Sequence, residues 1–122
     1  MALPTIGANI ERAEQALGRA LPYAMRERLV RHNGGEVAAG DDQGWQLHPV
    51  LDETDRCTIA RTTSHLVSET EEARGWETFP KGAVAIASNG TGDLLILCAG
   101  SDDVQLWNHE TGDCSPVTVD WG

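Results

Sequence analysis

Long apolar runs are missing from this 122-residue sequence. No stretch approaches the roughly 18 residues that a membrane-spanning helix needs, so none is expected. The opening MALPTIGANIE carries neither the basic nor the apolar segment of a secretion signal. Cysteine is sparse: Cys57, Cys98 and Cys114 form no C-x-x-C and no framework spacing. That argues against a disulfide scaffold and for reduced thiols in the cytoplasm. Phenylalanine and tyrosine occur once each. Positive charge is in deficit, with nine Lys and Arg against nineteen Asp and Glu and a net charge of −10.

The deficit is uneven. Residues 1–33 hold five Arg and three Glu, a balance of +2, which leaves −12 for residues 34–122. No basic side chain follows Lys81, whereas Asp93, Asp102, Asp103, Glu110, Asp113 and Asp120 do. Such a surface repels phosphate backbones, so nucleic acid and anionic membranes are excluded as expected partners and a basic protein is favoured. Acidity also serves plain solubility.

What is present suits one globular domain over residues 1–122, because 40% of the chain is apolar and its length is that of a single core. Ile6, Ile10, Ala13 and Leu17 recur at helical spacing before Gly18, with Thr5 or Asn9 as N-cap. Pro22 opens a second helix at its first position, lined by Leu21, Met25 and Leu29, and Asn33-Gly34-Gly35 ends it with residues that accept positive φ. Residues 36–44 read as an acidic loop. GWQLHPV alternates Trp45 and Leu47 against Gln46 and His48, a half-buried strand that Pro49 ends. A third helix is expected over about residues 56–74, with Ile59, Thr63, Leu66, Thr70 and Ala73 inward and Asp55 as cap.

The C-terminal third is strand-rich: AVAIA, LLILC, VQLWNH and PVTVDW, joined by short turns that imply antiparallel pairing. The expected fold is α+β, an antiparallel sheet with an N-terminal helical hairpin and one middle helix packed on it.

Candidate chemistry is thin. SNGTGD, residues 88–93, has glycines but no Lys, ends in a carboxylate and leads into a strand, so it reads as a hairpin and not a phosphate cradle. His32, His48, His65 and His109 show no H-E-x-x-H and no i, i+4 pair. They are expected at helix ends, strand edges or the surface, without a metal. No serine sits in a G-x-S-x-G elbow. Among the four tryptophans, Trp45 and Trp107 are expected in the core, and Trp76 and Trp121, near element ends, partly exposed.

Taken in order, IERAEQALGRALPYAMRERLVRHNGGEV, GWQLHPV, VAIASNGTGDLLIL and LWNHETG resemble the SUKH superfamily, the Smi/Knr-like proteins. The pattern is E-x-x-L-G-x-x-L-P, an N-G-G stop, a W-x-L-x-P strand and an A-x-x-G-x-G-D hairpin. One departure is Arg28, where the family often has an aromatic residue. The resemblance implies an α+β fold, no catalysis and no cofactor. Bacterial members are largely immunity proteins that bind and neutralise a cognate polymorphic toxin, often a nuclease; eukaryotic relatives are scaffold-like regulators of cell-wall assembly.

The combined expectation is an immunity protein for a basic, nuclease-like toxin. Its partner surface is placed on Glu36, Asp41 and Asp42, continued by Asp52, Glu53 and Asp55. The Asp102-Asp103 turn and the Asn108-His109-Glu110 turn come second, while Asp93 and the glycines are assigned to the fold. The alternatives are a cytoplasmic scaffold domain and a small hydrolase using His109 or Cys98 with Asp93.

Overall fold

The computed structural model describes residues 7–40, 42–52 and 65–121, with Asp42 and Gln43 described as backbone only. Its helices are α1 (Gly7–Leu17), α2 (Tyr23–Arg31) and α3 (Leu66–Ala73). Its strands are β1 (Glu36–Ala39), β2 (Asp42–Leu47), β3 (Val84–Ser88), β4 (Leu94–Leu97), β5 (Val104–Trp107), β6 (Cys114–Pro116) and β7 (Val119–Asp120). The expected α+β architecture is the one observed.

The helical hairpin follows from its apolar spacing. Ile10, Ala13, Leu21, Met25 and Leu29 are all buried in one cluster. Glu14 fastens the two helices: its carboxylate accepts the Leu21 N–H at 2.6 Å and faces Arg26 at 3.7 Å. Three local details differ from expectation. Asn9 lies inside α1 and is buried, so it does not cap it. Pro22 occupies the N-cap of α2, one place earlier than foreseen. Positive φ falls on Gly34 and Gly35 but not on Asn33. Asn33 instead uses its buried amide to receive the Val50 N–H at 2.8 Å and to donate to the Val50 carbonyl at 2.9 Å.

The segment expected to be an acidic loop is a β-hairpin. Val37 and Ala39 alternate inward with 5% and 4% exposure, the period of a strand, and Ala39 pairs with Asp42 across the Gly40 turn. Acidic composition hid a two-residue periodicity. The helix expected over about residues 56–74 is described from Leu66, where extended His65 caps α3, its Nδ1 accepting the Ser68 N–H; residues 56–64 of that expectation lie outside the described residues. Ile59, Thr63 and Asp55 lie outside the described residues. Leu66, Thr70 and Ala73 do face inward. Thr70 is tolerated there because its hydroxyl accepts the Ala85 N–H at 3.0 Å.

All strand pairs are antiparallel, in the order β6-β5-β4-β3-β2-β1-β7. PVTVDW, expected as one strand, is therefore divided between the two edges of the sheet. The Val117 N–H donates to the Val104 carbonyl of β5, and the next carbonyl, Thr118, accepts from Gly40 N–H beside β1. From Pro116 to Val119 the chain reaches at most about 11 Å. The edges of a flat seven-stranded sheet would stand about 29 Å apart. The sheet must curl.

The curl encloses the main core: Trp45, Leu47, Val84, Ile86, Leu95 and Leu97 meet the inner faces of α1, α2 and α3. A bulge at β3, where the register shifts between Ala85 and Ala87, brings Ile86 and Ala87 both to this side. The outer face of β3–β5 carries a second cluster, in which Ala85, Ile96 and Trp107 lie beneath Phe79.

Replacing Asn33 with Ala would orphan both buried polar groups of Val50. Urea unfolding is expected to show a loss of roughly 2–4 kcal/mol. A loss within the roughly 0.5 kcal/mol of an ordinary surface substitution would contradict this reading.

Candidate functional site

Successive hairpins sort the turns by end. Gln46 pairs with Ser88 and Leu94 with Trp107, so the β1–β2, β3–β4 and β5–β6 turns share one end of the sheet. The β4–β5 turn, with Asp102 and Asp103, lies at the other. Beyond the Gln46–Ser88 pair, β2 overshoots β3 by four residues, about 13 Å of strand. The β1–β2 hairpin is thus an arm that rises past β3.

The expected acidic surface is not one loop. Glu36 is exposed at the start of β1, opposite Gln46, while Asp42 opens β2 about 13 Å further along the arm. Asp52 is only 6% exposed, so its carboxylate is turned inward. Asp41, Glu53 and Asp55 lie outside the described residues. Asp102 is exposed but engaged: Arg19 Nη2 donates to its carboxylate at 2.7 Å. The same guanidinium donates through Nη1 to the Cys98 and Ser101 carbonyls, tying the α1–α2 loop to the β4–β5 turn. Asp103 carries no such duty, and its N–H is held by the Ser101 hydroxyl at 3.1 Å.

The Asn108-His109-Glu110 turn is the most highly built of the predicted sites. Asn108 Oδ1 accepts the Glu110 N–H at 2.9 Å, and Thr111 Oγ1 accepts the Asp113 N–H at 3.2 Å. Asp93, from the β3–β4 hairpin, receives both the backbone N–H of His109 at 3.2 Å and its Nδ1–H at 2.8 Å. Gly92 permits this contact. Its φ is +103°, and an added Cβ would stand 2.9 Å from the His109 ring. Gly112 does the same on the other flank, where a Cβ would meet Thr78 at 2.8 Å. The two turns and the segment after α3 therefore form one packed unit.

Trp76 closes that unit. Its ring lies edge-to-face on Trp107 at 6.0 Å and on His109 at 5.9 Å, while Phe79 packs on Trp107 at 5.3 Å. Half of Trp76 is exposed, whereas Trp107 is fully buried and donates its indole N–H to the Thr78 carbonyl. Trp76 was foreseen as partly exposed but not as part of a site. Its only sequence signal is a large aromatic after a helix end, flanked by Glu72 and Glu77. The hydrolase alternative used His109 or Cys98 with Asp93, and of the two only His109 meets Asp93, at 2.8 Å. Asp93 and Cys98 flank β4 at opposite ends, five residues of extended chain or about 16 Å apart.

The remaining histidines serve the fold. His65 caps α3 and exposed His32 ends α2. His48, expected on the polar side of its strand, is buried at 4% exposure. Its Nδ1–H donates to the Ala85 carbonyl at 2.9 Å, and its Nε2 is buried with no hydrogen-bond partner among the described residues. Alternation broke here because the chain turns toward Pro49 while the His48 N–H still pairs with Ile86. Among the described residues no three His, Cys, Asp or Glu side chains converge to hold a metal ion. No helix among them is long and apolar enough to cross a membrane.

With this fold and these turns in place, comparison with known families is decisive: the sequence pattern of the SMI1 / KNR4 family (SUKH-1) matches residues 7–122. The chain belongs to that family. No curated protein matches it. The departure of this SMI1 / KNR4 member at Arg28 has a structural reason. Arg28 is buried, and its guanidinium donates to the carbonyls of His32 and Glu36, satisfying the end of α2 and the entry to β1 together. Burial, then the Arg31 charge, lowers its pKa. Arg28, Arg31 and His32 line a cleft of about 440 Å³ opposite Glu36, Asp120 and Trp121. Both signs of charge face it, so it selects neither anion nor cation.

Burial lowers the His48 pKa, outweighing the Ala85 hydrogen bond and the Glu69 charge, which raise it. In the unfolded chain this histidine titrates at about 6.5. Below that pH it takes up a proton that folded His48 resists, so this contribution to stability is present above about 6.5 and lost as pH falls toward the lowered folded value. The stability difference between the wild type and His48→Leu is therefore expected to move against the wild type on acidification, read by urea unfolding across the pH series. A pH-independent difference would contradict it.

Proposed function

We propose that this protein is an immunity protein that silences a cognate toxin by occupying it, without chemistry of its own. The observation that carries this reading is the state of the acidic turns. Glu110, Asp113 and Asp103 sit on backbone already pinned by Asn108, Thr111 and Ser101. Membership of the SMI1 / KNR4 family is consistent with it. A surface whose loops are ordered before contact loses less entropy on binding. A fixed field of one sign raises the rate of encounter with a partner of the other.

The partner inferred is therefore a basic toxin domain, of the kind that grips nucleic acid. The proposed contacts are the β1–β2 arm with Glu36, Asp41 and Asp42 and the turn bearing Asn108, His109 and Glu110 at one end of the sheet, and Asp103 on the turn at the other. Asp102 is set aside because Arg19 uses it. A cytoplasmic site of action accords with the reading.

The test is coexpression with the toxin domain encoded beside this gene, followed by titration of the purified pair. Toxin activity is expected to fall linearly and vanish at an equimolar ratio, and cells are expected to survive. Slow loss of toxin activity at substoichiometric protein would instead mark an enzyme. No complex and no protection would remove the proposal.

A further inference from the structure

Three large apolar side chains stand exposed among the described residues: Tyr23, Val30 and Trp76. Tyr23 and Val30 lie on the outer face of α2, and Tyr23 interacts with Glu27. Trp76 differs in being fixed. Trp107 and His109 hold its ring at 6.0 and 5.9 Å. Its backbone is secured as well, since the Trp76 N–H donates to the Ala73 carbonyl and the Trp76 carbonyl accepts from Phe79. An exposed indole locked in place by its own core has the character of a binding anchor, because ordering it on contact costs nothing further.

Its surroundings say what it would bind. Glu72 and Glu77 flank Trp76 in the chain, and Glu110 follows the His109 that touches it; all three are exposed, with Arg74 the cation nearest in sequence. The π-face of tryptophan attracts cations, and most of all a guanidinium, which can stack flat while donating to carboxylates at the rim. Lysine cannot do both.

We propose that Trp76, with exposed Glu72 and Glu77 near it in the chain and Glu110 next to the His109 it packs on, is the anchor on which a basic partner protein docks an arginine side chain. This rests on the toxin-binding reading and names the chemistry of its contact. The Asp93–His109 pair positions the anchor, since Asp93 holds the ring that packs on Trp76.

Two measurements separate this inference from the reading it rests on. In the first, affinity for the toxin domain is compared across variants. Trp76→Ala is expected to weaken binding about 30-fold or more, the scale of an interface hot spot. Tyr23→Ala should leave it unchanged. A Glu77→Lys, Glu110→Lys double variant, which spares the aromatic stack, should weaken binding even if Trp76→Ala folds poorly. Normal affinity in all of them would overturn the Trp76 anchor while leaving toxin binding intact.

The second measurement needs no toxin. A short arginine peptide and its lysine counterpart are titrated onto the isotopically labelled full chain. Saturable shifts at the Trp76 indole N–H and the Glu110 amide, larger for arginine, support the anchor even where the toxin does not bind. Absence of shifts at millimolar arginine peptide, with no toxin complex, would overturn both proposals.

Discussion

Two adjacent residues, Val117 and Thr118, hydrogen-bond to β5 and beside β1 and so join the two edge strands, β6 and β7, of the same sheet, and the rest of the architecture follows from that junction. A connection this short can be made only if the seven strands bend round toward each other. Bending gives the sheet an inside, where the helical hairpin and α3 bury the main core, and an outside, where Trp107 and Ile96 need a separate cover. The segment from Ala73 to Ala83 supplies it. That covering segment brings Trp76 to the surface beside the β5–β6 turn.

The candidate site is thus a by-product of two-sided packing. Trp107 must be covered, Thr78 receives its indole N–H, and Gly112 lets the turn approach Thr78 closely. Asp93 then binds the two neighbouring turns through His109. The indole of Trp76 and the backbone that bears Glu110 and Asp113 are held in place by ring contacts and turn hydrogen bonds. Under the proposed toxin-binding role, fixed geometry and single-sign charge would act together: the charge shortens the search and the geometry reduces the entropy lost on contact. The Arg19–Asp102 clamp shows the opposite use of charge, spent inside the molecule to fasten a loop.

Much of this was legible in the chain. The helical hairpin followed from Leu21, Met25 and Leu29, and the central strands from AVAIA and LLILC, because apolar periodicity reports burial directly. The SNGTGD turn was readable because glycine and Asx residues have specific backbone uses. Composition misled at residues 36–44, where Val37 and Ala39 were outvoted by acidic neighbours. PVTVDW looked like one strand because local pattern cannot show that its halves pair with opposite edges. His48 and Asp52 read as polar and outward, yet both are buried, since nothing local shows which way the chain turns after Leu47. The acids of the β5–β6 turn were visible as composition, but the link from Asp93 to His109 to Trp76 spans three segments, and only folding joins them.

The central claim is that capture of a partner runs through a prebuilt electronegative surface. The measurement closest to it is the rate at which the purified protein associates with the toxin domain, followed by stopped-flow fluorescence as ionic strength is raised. The account predicts an association rate that drops by about tenfold or more between low and physiological salt while dissociation changes little. An association rate indifferent to salt would contradict it.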